Sequence, residues 1–337
     1  MDVLTKIKNY QFKNYQSSSH SIYHRLPLNR RSSVFILLFH HNDDLKVLLS
    51  QRSSKLRSFP GHVSLPGGRA DTPLEDEWMT SRREMEEELG IPRSNDGLGL
   101  LGCEIEKINI MPSYLSRTLS CVRPCIGYLR TFEGFQGLDL KLNPGETSCV
   151  FSVSLKDFTW PEKMISEISI DKSTLIERDF KPVKWGGIPW KLRSYMVSRD
   201  DDVDWISNVI DLSEESESDM ELDPNYKTPQ PNEKKSEKLS KKERLQQWGR
   251  LGSSKSDAGK IFDVWGLTAN IIHDLAVVAY SEPKGEMGEE ELIYSLFKNN
   301  YMKERNETEK QLISDEIGFN DLLSRQEFND LKRIYKI

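Results

Sequence analysis

Four of the five residues from Glu84 to Glu88 are glutamates, and Gly90 follows closely. On a helix, Glu84, Glu87 and Glu88 share one face, whereas Glu86 points away from it. Like charges at this spacing cost roughly 0.2–0.5 kcal/mol per pair, and the C-terminal end of a helix favours cations. A solvated acidic face is the ordinary interpretation of a charge run. Here both the repulsion between the glutamates and their place at the C-terminal end disfavour the helix, which favours a functional role for them. Mg²⁺ would resolve both because it prefers carboxylate and phosphate oxygens.

The segment before this acidic run is basic and contains a glycine pair. From Leu45 to Ala70 there is no acidic residue, and the segment contains Lys46, Arg52, Lys55, Arg57 and Arg69. Backbone N–H groups at Gly67 and Gly68, together with these charges, could hold phosphate oxygens while the glutamates hold a metal. The glycine pair alone would indicate no more than a turn. The combination predicts a site for a polyphosphate.

The elements that position these groups are predicted from the hydrophobic pattern. Residues 32–39 and 46–50 predict two strands of a β-hairpin. Helical signals begin near Glu75 and stop at Gly90. Three further segments rich in β-branched and aromatic residues predict strands at 121–129, 148–155 and 175–180. Several strands with few helices indicate an α+β fold.

Composition divides the chain into five parts. They are an N-terminal arm (1–29), a central domain (30–198), a charged insertion (211–257), a closing helix (258–281) and a helical C-terminal extension (282–337). The arm lacks apolar periodicity, so we expect it to dock loosely. The insertion carries acidic, proline-rich and lysine-rich blocks in turn, which predicts disorder. Two amphipathic stretches, near Glu289–Phe297 and Asp321–Ile334, predict helices in the extension.

Charge and hydropathy restrict the kinds of partner. The formal net charge of −6 argues against general nucleic-acid binding. The longest apolar run, Val34 to Phe39, is far shorter than the roughly 20 residues that cross a bilayer. The four cysteines are predicted to be buried reduced thiols, since none forms a CxxC pair. They are Cys103, Cys121, Cys125 and Cys149.

The acidic run resembles the Nudix box, whose pattern is Gx5Ex7REUxEExGU with U an aliphatic residue. The residues from Arg83 to Ile91 match every fixed position of its second half, and Glu75 lies eight residues before Arg83. Six residues rather than five separate Gly68 from Glu75, a lengthening that resembles the coenzyme A diphosphatase branch of the family. The box is highly specific for the superfamily.

A second signature, upstream of the box, resembles the same branch, which carries LLTxRSx3Rx3Gx3FPGG there. The segment from Leu48 to Gly68 keeps this spacing, with Ser50 and Leu65 replacing Thr and Phe. Looser downstream matches are the NPGE turn that ends at Glu146 and the segment 264–268. In its long insertion and C-terminal extension, the chain is similar to fungal peroxisomal members of this branch.

The resemblance implies a Nudix fold, a mixed β-sheet sandwiched between helices (α/β/α), with the box as a loop, helix and loop. At the matching positions, Glu84 and Glu88 would be the main ligands of Mg²⁺ or Mn²⁺. Glu87 would be a further ligand or the general base. Arg83 would hold the glutamates in place, although an ordinary ion pair on the helix surface would also explain it.

Other roles stay open at this stage. Glu146 is a second candidate for the base, and it could equally be an acidic residue on the surface of a turn. Arg52 and Arg57 are candidates for contact with the substrate phosphates, beside Gly67 and Gly68, or for ion pairs that stabilise the fold.

The resemblance implies hydrolysis of the diphosphate of coenzyme A or its derivatives, giving 3′,5′-ADP and (acyl-)4′-phosphopantetheine. The partner is then a small-molecule substrate; the sequence does not fix the preferred derivative or the oligomeric state. One alternative is hydrolysis of oxidised nucleoside triphosphates such as 8-oxo-dGTP, against which the upstream signature speaks. Another is a non-catalytic nucleotide-binding protein, although such proteins usually lose glutamates of the box.

The family resemblance suggests a peroxisomal location. The last three residues, Tyr335-Lys336-Ile337, match the Ser-Lys-Leu address only loosely. The N-terminus has no apolar core or small-residue cleavage site, which predicts that it is not a secretory signal. The cytoplasm is the alternative location.

Overall fold

A computed structural model describes residues 2–18, 20–159, 175–198, 202–212, 253–256, 259–304 and 317–335. One sheet contains β1 (Arg31–His41), β2 (Asp44–Arg52), β3 (Val63–Ser64), β4 (Gly67–Arg69), β5 (Cys103–Ile110), β6 (Tyr114–Leu115), β7 (Cys121–Thr131) and β8 (Thr147–Ser154). A second sheet contains β9 (Leu175–Trp185), β10 (Ile188–Ser198), β11 (Ser253–Ser256) and β12 (Gly259–Trp265).

The α-helices are α1 (Val3–Asn9), α2 (Glu77–Leu89), α3 (Asn95–Gly99), α4 (Asp204–Ser207), α5 (Gly266–Tyr280), α6 (Glu290–Lys298), α7 (Phe319–Leu322) and α8 (Arg325–Ile334). Single 3₁₀ turns lie at Tyr15–Ser17, Ile22–Arg25, Leu28–Arg30 and Leu155–Phe158. In the part of the chain that the structure describes, no helix combines the length and apolarity needed to span a membrane.

The first sheet is mixed. Its central order is β3-β2-β1-β7-β5, with β4 beside β1, β6 beside β7 and β8 beside β2. The β1 and β7 strands run parallel, and the other pairs are antiparallel. The predicted hairpin is confirmed, since β1 and β2 are joined by Asn42 and Asp43 with φ of 50° and 61°. Positive φ at both positions is the geometry of a tight hairpin turn.

Alternate residues of β1 fill two separate cores. Phe35 and Leu37 face α2, whereas Ile36 and Leu38 pack in the core that contains α5. Both faces of the strand are buried, which explains its continuous apolar sequence. The sheets are joined through Phe151 of β8 and the second sheet's Phe262, whose rings stack with centroids 3.8 Å apart. The predicted mixed sheet between helices is confirmed.

The four cysteines are buried thiols, as expected from their spacing. Most of the predicted charged insertion, residues 213–252, lies outside the described residues. The structure places Ser253–Ser256, which the prediction assigned to that insertion, in β11.

The expectation that the N-terminal arm docks loosely is wrong. Ile7 of α1 is fully buried in the core beside α5, and Ile22 and Tyr23 are fully buried in a separate cluster with the C-terminal helices. Ile7 stands alone between two lysines, and Ile22 and Tyr23 form a single pair between Ser21 and His24. They therefore give no periodic signal, although each fills a gap between distant elements.

The closing helix predicted over 258–281 is shorter than expected. Residues Gly259–Trp265 form β12, and the helix α5 begins at Gly266, where φ is 65°. A short apolar run is compatible with either a strand or a helix. Pairing of β12 with both β10 and β11 selects the strand.

The C-terminal extension forms the predicted helices and is tied to the central domain by buried charges. Glu290, at the start of α6, accepts hydrogen bonds from Nη1 of Arg123 at 2.9 Å and from backbone N–H groups of Ser113 and Ile22 at 2.9 and 3.1 Å. On its other side, Nε of Arg123 lies 3.5 Å from the Glu77 carboxylate of α2. This buried chain of charges connects the extension to the acidic helix.

Replacing Glu290 with alanine should lower the free energy of unfolding by about 3–5 kcal/mol, because Arg123 and two backbone donors lose a buried partner. Chemical denaturation of the full chain measures the change. Glu282→Ala, at an exposed position, is the control and should change stability by less than about 0.5 kcal/mol. Equal stability of both variants would contradict a structural role for the buried charges.

Candidate active site

The acidic residues lie on α2, whose position is fixed at both ends and along its buried face. Asp76 caps the N-terminus with its side chain, and Gly90 adopts the left-handed conformation that ends the helix (φ 74°). Met85 and Leu89 are buried between the helix and the first sheet. The apolar residues therefore fix the rotation of the helix and with it the direction of the acidic face.

The turn that carries Glu146 is attached to the C-terminal end of α2. The backbone N–H of Asn143 donates to the carbonyl oxygen of Glu88 at 3.0 Å, so that a carbonyl left unpaired by the helix gains a partner. The carbonyl oxygen of Glu146 accepts a hydrogen bond from the N–H of Ser53 at 2.8 Å. The turn thus joins the acidic helix to the end of β2.

The glycine pair lies directly against the carboxylates. A Cβ atom at Gly68 would lie 2.3 Å from Oε1 of Glu84, and one at Gly67 would lie 2.4 Å from the carbonyl oxygen of Ser33. The backbone N–H of Gly67 also donates to the Glu88 carboxylate. The backbone of Ser33 and Val34 therefore leaves no room for a Cβ at Gly67, whereas a Cβ at Gly68 would displace the Glu84 carboxylate.

Arg83 connects the glutamates with the loop that precedes the helix. Its Nη1 donates to Glu84 at 3.1 Å and to Glu87 at 3.0 Å, and its Nε donates to Glu75 at 2.9 Å. Its Nη2 donates to the carbonyl oxygen of Arg69 at 2.8 Å. We expected Arg83 to hold the glutamates in place, and its hydrogen bonds are directed to two of them, Glu84 and Glu87. The anchoring contact with Glu75 was missed, although the fixed place of this residue in the box could have indicated it.

The environment keeps the Arg83 guanidinium charged. Burial would lower its pKa, but the hydrogen bonds with Glu75 and the charges of Glu84 and Glu87 raise the pKa overall. Burial also acts to raise the pKa of Glu75, yet the hydrogen bonds from Arg83 lower that pKa below its usual value. The pair is therefore ionised at neutral pH.

Two carboxylates of the site are destabilised in their charged form. Burial raises the pKa of Glu84 to about 6, against the lowering effect of Arg83 and with further increases from Glu87 and Glu146. Burial and the charge of Glu84 raise the pKa of Glu88 to about 8, again with a contribution from Glu146. The charges of Glu87 and Glu146 therefore act on Glu84, and those of Glu84 and Glu146 act on Glu88. Glu86 is directed away and pairs with Arg93.

The donor set fits a hard divalent cation. A cation between buried carboxylates would relieve the repulsion that raises their pKa values, and carboxylate oxygens are the ligands that Mg²⁺ prefers. Within the described ranges, no three histidine, cysteine, aspartate or glutamate side chains are already arranged to hold a metal by themselves. Water or substrate phosphate oxygens would supply the remaining ligands, as is usual for Mg²⁺.

The basic loop between β2 and β3 borders the acidic residues. Arg52 is close enough to lower the pKa of Glu88 by its charge, and its Nη2 donates to the carbonyl oxygen of Ser58 at 3.3 Å. Nε of Arg52 has no hydrogen-bond partner among the described residues. Arg57 is exposed in the same loop. The structure brings Arg52 to the carboxylates, whereas Arg57 extends into solvent.

Aromatic residues form one edge of this loop, which the sequence analysis did not identify. The ring of His62 lies 5.5 Å from that of Phe59 and 5.3 Å from that of Trp265. Phe59 is 42% exposed. Trp265 belongs to the downstream segment 264–268, so this segment meets the basic loop through aromatic contacts.

The Nudix box is expected to form an acidic helix that contacts a glycine pair and an arginine on a mixed sheet between helices. The helix α2 has this arrangement. The chain belongs to the Nudix hydrolase family, and residues 29–169 match the family described as the NUDIX domain. The resemblance found in the sequence is therefore confirmed.

Two relatives and one solved structure illustrate the similarity. The chain is 32% identical over 321 residues to peroxisomal coenzyme A diphosphatase 1 of Saccharomyces cerevisiae, covering 87% of this chain and 82% of that protein. It is 39% identical over 139 residues to the mitochondrial Nudix hydrolase 15 of Arabidopsis thaliana, covering 41% of this chain and 45% of that protein. A C. elegans Ap4A hydrolase binary complex aligns with a TM-score of 0.29 and 21% identity, over 37% of this chain and 81% of that chain.

Gly68→Ala should weaken Mn²⁺ binding by about 10–100-fold, because the new methyl group displaces the Glu84 carboxylate that would bind the ion. Electron paramagnetic resonance of free Mn²⁺ measures the affinity directly. Gly99→Ala is the matched control, since a Cβ at Gly99 meets no atom within 4 Å. Wild-type affinity in Gly68→Ala, with an intact fold, would contradict the assignment of Glu84.

Proposed function

We propose that the protein hydrolyses the diphosphate bond of coenzyme A or its derivatives, giving 3′,5′-ADP and (acyl-)4′-phosphopantetheine. The observation that carries this proposal is the position of the upstream signature, whose Gly68 lies against the Glu84 carboxylate and whose Gly67 donates its backbone N–H to Glu88. The extended similarity to the yeast coenzyme A diphosphatase supports the same substrate.

Glu84 and Glu88 would hold Mg²⁺ or Mn²⁺, with Glu87 as a further ligand. When bound, the cation would neutralise phosphate oxygens and lower the pKa of the attacking water. Gly67 and Gly68 would offer backbone N–H groups to the phosphate oxygens. Arg52 and Arg57 would pair with the phosphates of the substrate. Arg83 keeps the carboxylates in position through the contacts with Glu84, Glu87 and Glu75.

Glu146 is the better candidate for the general base. One oxygen of Glu87 accepts a hydrogen bond from the charged Arg83, which competes with proton transfer to that carboxylate. Glu146 accepts instead from the neutral amide of Asn143 at 3.2 Å. Its turn is held at the end of α2, and its charge acts on both Glu84 and Glu88. A base must be held within reach of the water that it deprotonates.

A nucleotide-pool hydrolase remains the alternative within the family, since the same box would serve oxidised nucleoside triphosphates. The name of the yeast relative places that protein in peroxisomes. We infer the same compartment for this chain, which co-localisation of the full chain with a peroxisomal marker would test.

The purified full chain with Mg²⁺ or Mn²⁺ should convert coenzyme A to 3′,5′-ADP and 4′-phosphopantetheine, and should act far more slowly on 8-oxo-dGTP. Chromatography of the products measures both reactions. Glu88→Gln should lower turnover of coenzyme A by at least about 100-fold, because several kcal/mol of charge stabilisation are lost. Glu86→Gln is the matched control, since Glu86 lies on the same helix but pairs with Arg93.

Equal turnover of coenzyme A and 8-oxo-dGTP, or turnover of neither, would reject the proposed substrate. Undiminished activity of Glu88→Gln, with Mn²⁺ binding retained, would reject the proposed ligand.

A further inference from the structure

Arg123 of β7 lies between the acidic helix α2 and the C-terminal extension. Its side chain is buried. Nη1 donates to Oε1 of Glu290 at 2.9 Å, and Nε lies 3.5 Å from Oε1 of Glu77, the first residue of α2. The planar guanidinium can contact two carboxylates at once because it carries N–H groups along two edges. One buried cation therefore contacts two elements that are far apart in the chain.

The backbone of Arg123 is also connected to the glycine pair, through the first sheet. Ser33 of β1 lies opposite Arg123 in β7 and opposite Gly68 in β4. The Ser33 hydroxyl donates to the carbonyl oxygen of Arg123 at 2.6 Å. Gly68 in turn lies against the Glu84 carboxylate. Arg123 thus reaches the site by two routes, through its strand neighbours to Gly68 and through its side chain to the start of α2.

The N-terminal arm contacts the same two carboxylates as Arg123. The Ser21 hydroxyl and the backbone N–H of Ile22 donate to Glu290. Two residues further along the arm, Nε2 of His24 lies 3.1 Å from Oε2 of Glu77. The arm therefore bridges Glu290 and Glu77 a second time, and a displacement of the extension would be transmitted to the first turn of α2.

Polar contacts matter most at this end of the helix. Met85 and Leu89 bury the C-terminal half of α2 by apolar packing, whereas the buried residues of its first turn are Glu77 and Thr80. If the first turn lost its partners, the helix could tilt about its apolar half and change the distance between Glu84 and Gly68. Metal ligands must be held to within a fraction of an ångström by the groups around them.

Glu289 offers a comparison within the same segment as Glu290. It is also buried, and it accepts hydrogen bonds from Nε1 of Trp190 at 3.2 Å and from the backbone N–H of Leu115 at 3.0 Å. These partners belong to β10 and β6. Of the two adjacent carboxylates, Glu290 is thus the one whose contacts lead to the acidic helix.

We propose that Arg123 and Glu290 are positioning residues of the metal site, through which the C-terminal extension sets the affinity of the glutamates for Mg²⁺ or Mn²⁺. The inference rests on the proposed function, because it requires the acidic face of α2 to bind a cation. Arg123 holds the start of α2 against the sheet, and Glu290 holds Arg123 in the orientation that reaches Glu77.

Glu290→Gln should weaken Mn²⁺ binding by the full chain by about 2–30-fold, the range expected for a residue that acts on a site through intermediate contacts. Glutamine keeps the shape of the side chain but removes the charge that Arg123 pairs with. Glu289→Gln is the matched control and should keep the wild-type affinity. Electron paramagnetic resonance of free Mn²⁺ measures the affinities, and circular dichroism checks that each variant is folded. An affinity in Glu290→Gln no lower than that in Glu289→Gln would overturn the proposal.

A measurement on the unaltered chain does not depend on how the variants fold. Coupling between two sites is reciprocal, so binding of the cation at α2 should strengthen the contacts at Glu290. Saturating Mg²⁺ should slow hydrogen exchange of the backbone N–H groups of Ile22 and Ser113, which donate to Glu290. Exchange at Leu115, which donates to Glu289, should stay the same. Nuclear magnetic resonance resolves these groups, and exchange at Ile22 and Ser113 that does not respond to Mg²⁺ would overturn the coupling.

These measurements separate failure of the inference from failure of the proposed function. If the wild-type chain binds Mn²⁺ and the two variants bind it equally, the positioning role is wrong and the metal site stands. If the wild-type chain binds Mn²⁺ without hydrolysing coenzyme A, the substrate is wrong, and a weaker affinity in Glu290→Gln alone still supports the positioning role. If the wild-type chain binds no Mn²⁺, both proposals are wrong.

Discussion

The structure depends on crowding carboxylates into a buried space beside a glycine backbone. Glu84 and Glu88 lose hydration and repel each other, and a Cβ at Gly68 would displace the Glu84 carboxylate. Arg83 compensates part of the charge through hydrogen bonds to Glu84, Glu87 and Glu75. A divalent cation would neutralise the negative charge that remains.

The rest of the fold keeps that arrangement in place. Burial of Met85 and Leu89 sets the rotation of α2, and the segment ending at Glu146 caps its carbonyl groups and attaches them to the end of β2. Glu77, at the other end of the helix, joins the buried charges of Arg123 and Glu290. The C-terminal extension is therefore part of the support for the acidic helix α2.

Short-range sequence patterns predicted the elements whose structure depends only on neighbouring residues. The box residues, the hairpin at Asn42 and Asp43 and the end of α2 at Gly90 all follow from short-range spacing and turn chemistry. The docking of Ile7 and the strand β12 were mispredicted, because distant partners decide them. Tertiary contacts of this kind leave no periodic trace in one sequence.

The central claim is that the acidic face of α2 binds a divalent cation. Anomalous diffraction from crystals soaked in Mn²⁺ tests it most directly. The account predicts a peak about 2.1–2.2 Å from carboxylate oxygens of Glu84 and Glu88, with Gly67 and Gly68 alongside. A fully soaked crystal in which these carboxylates face bulk solvent, with no peak beside them, would contradict it.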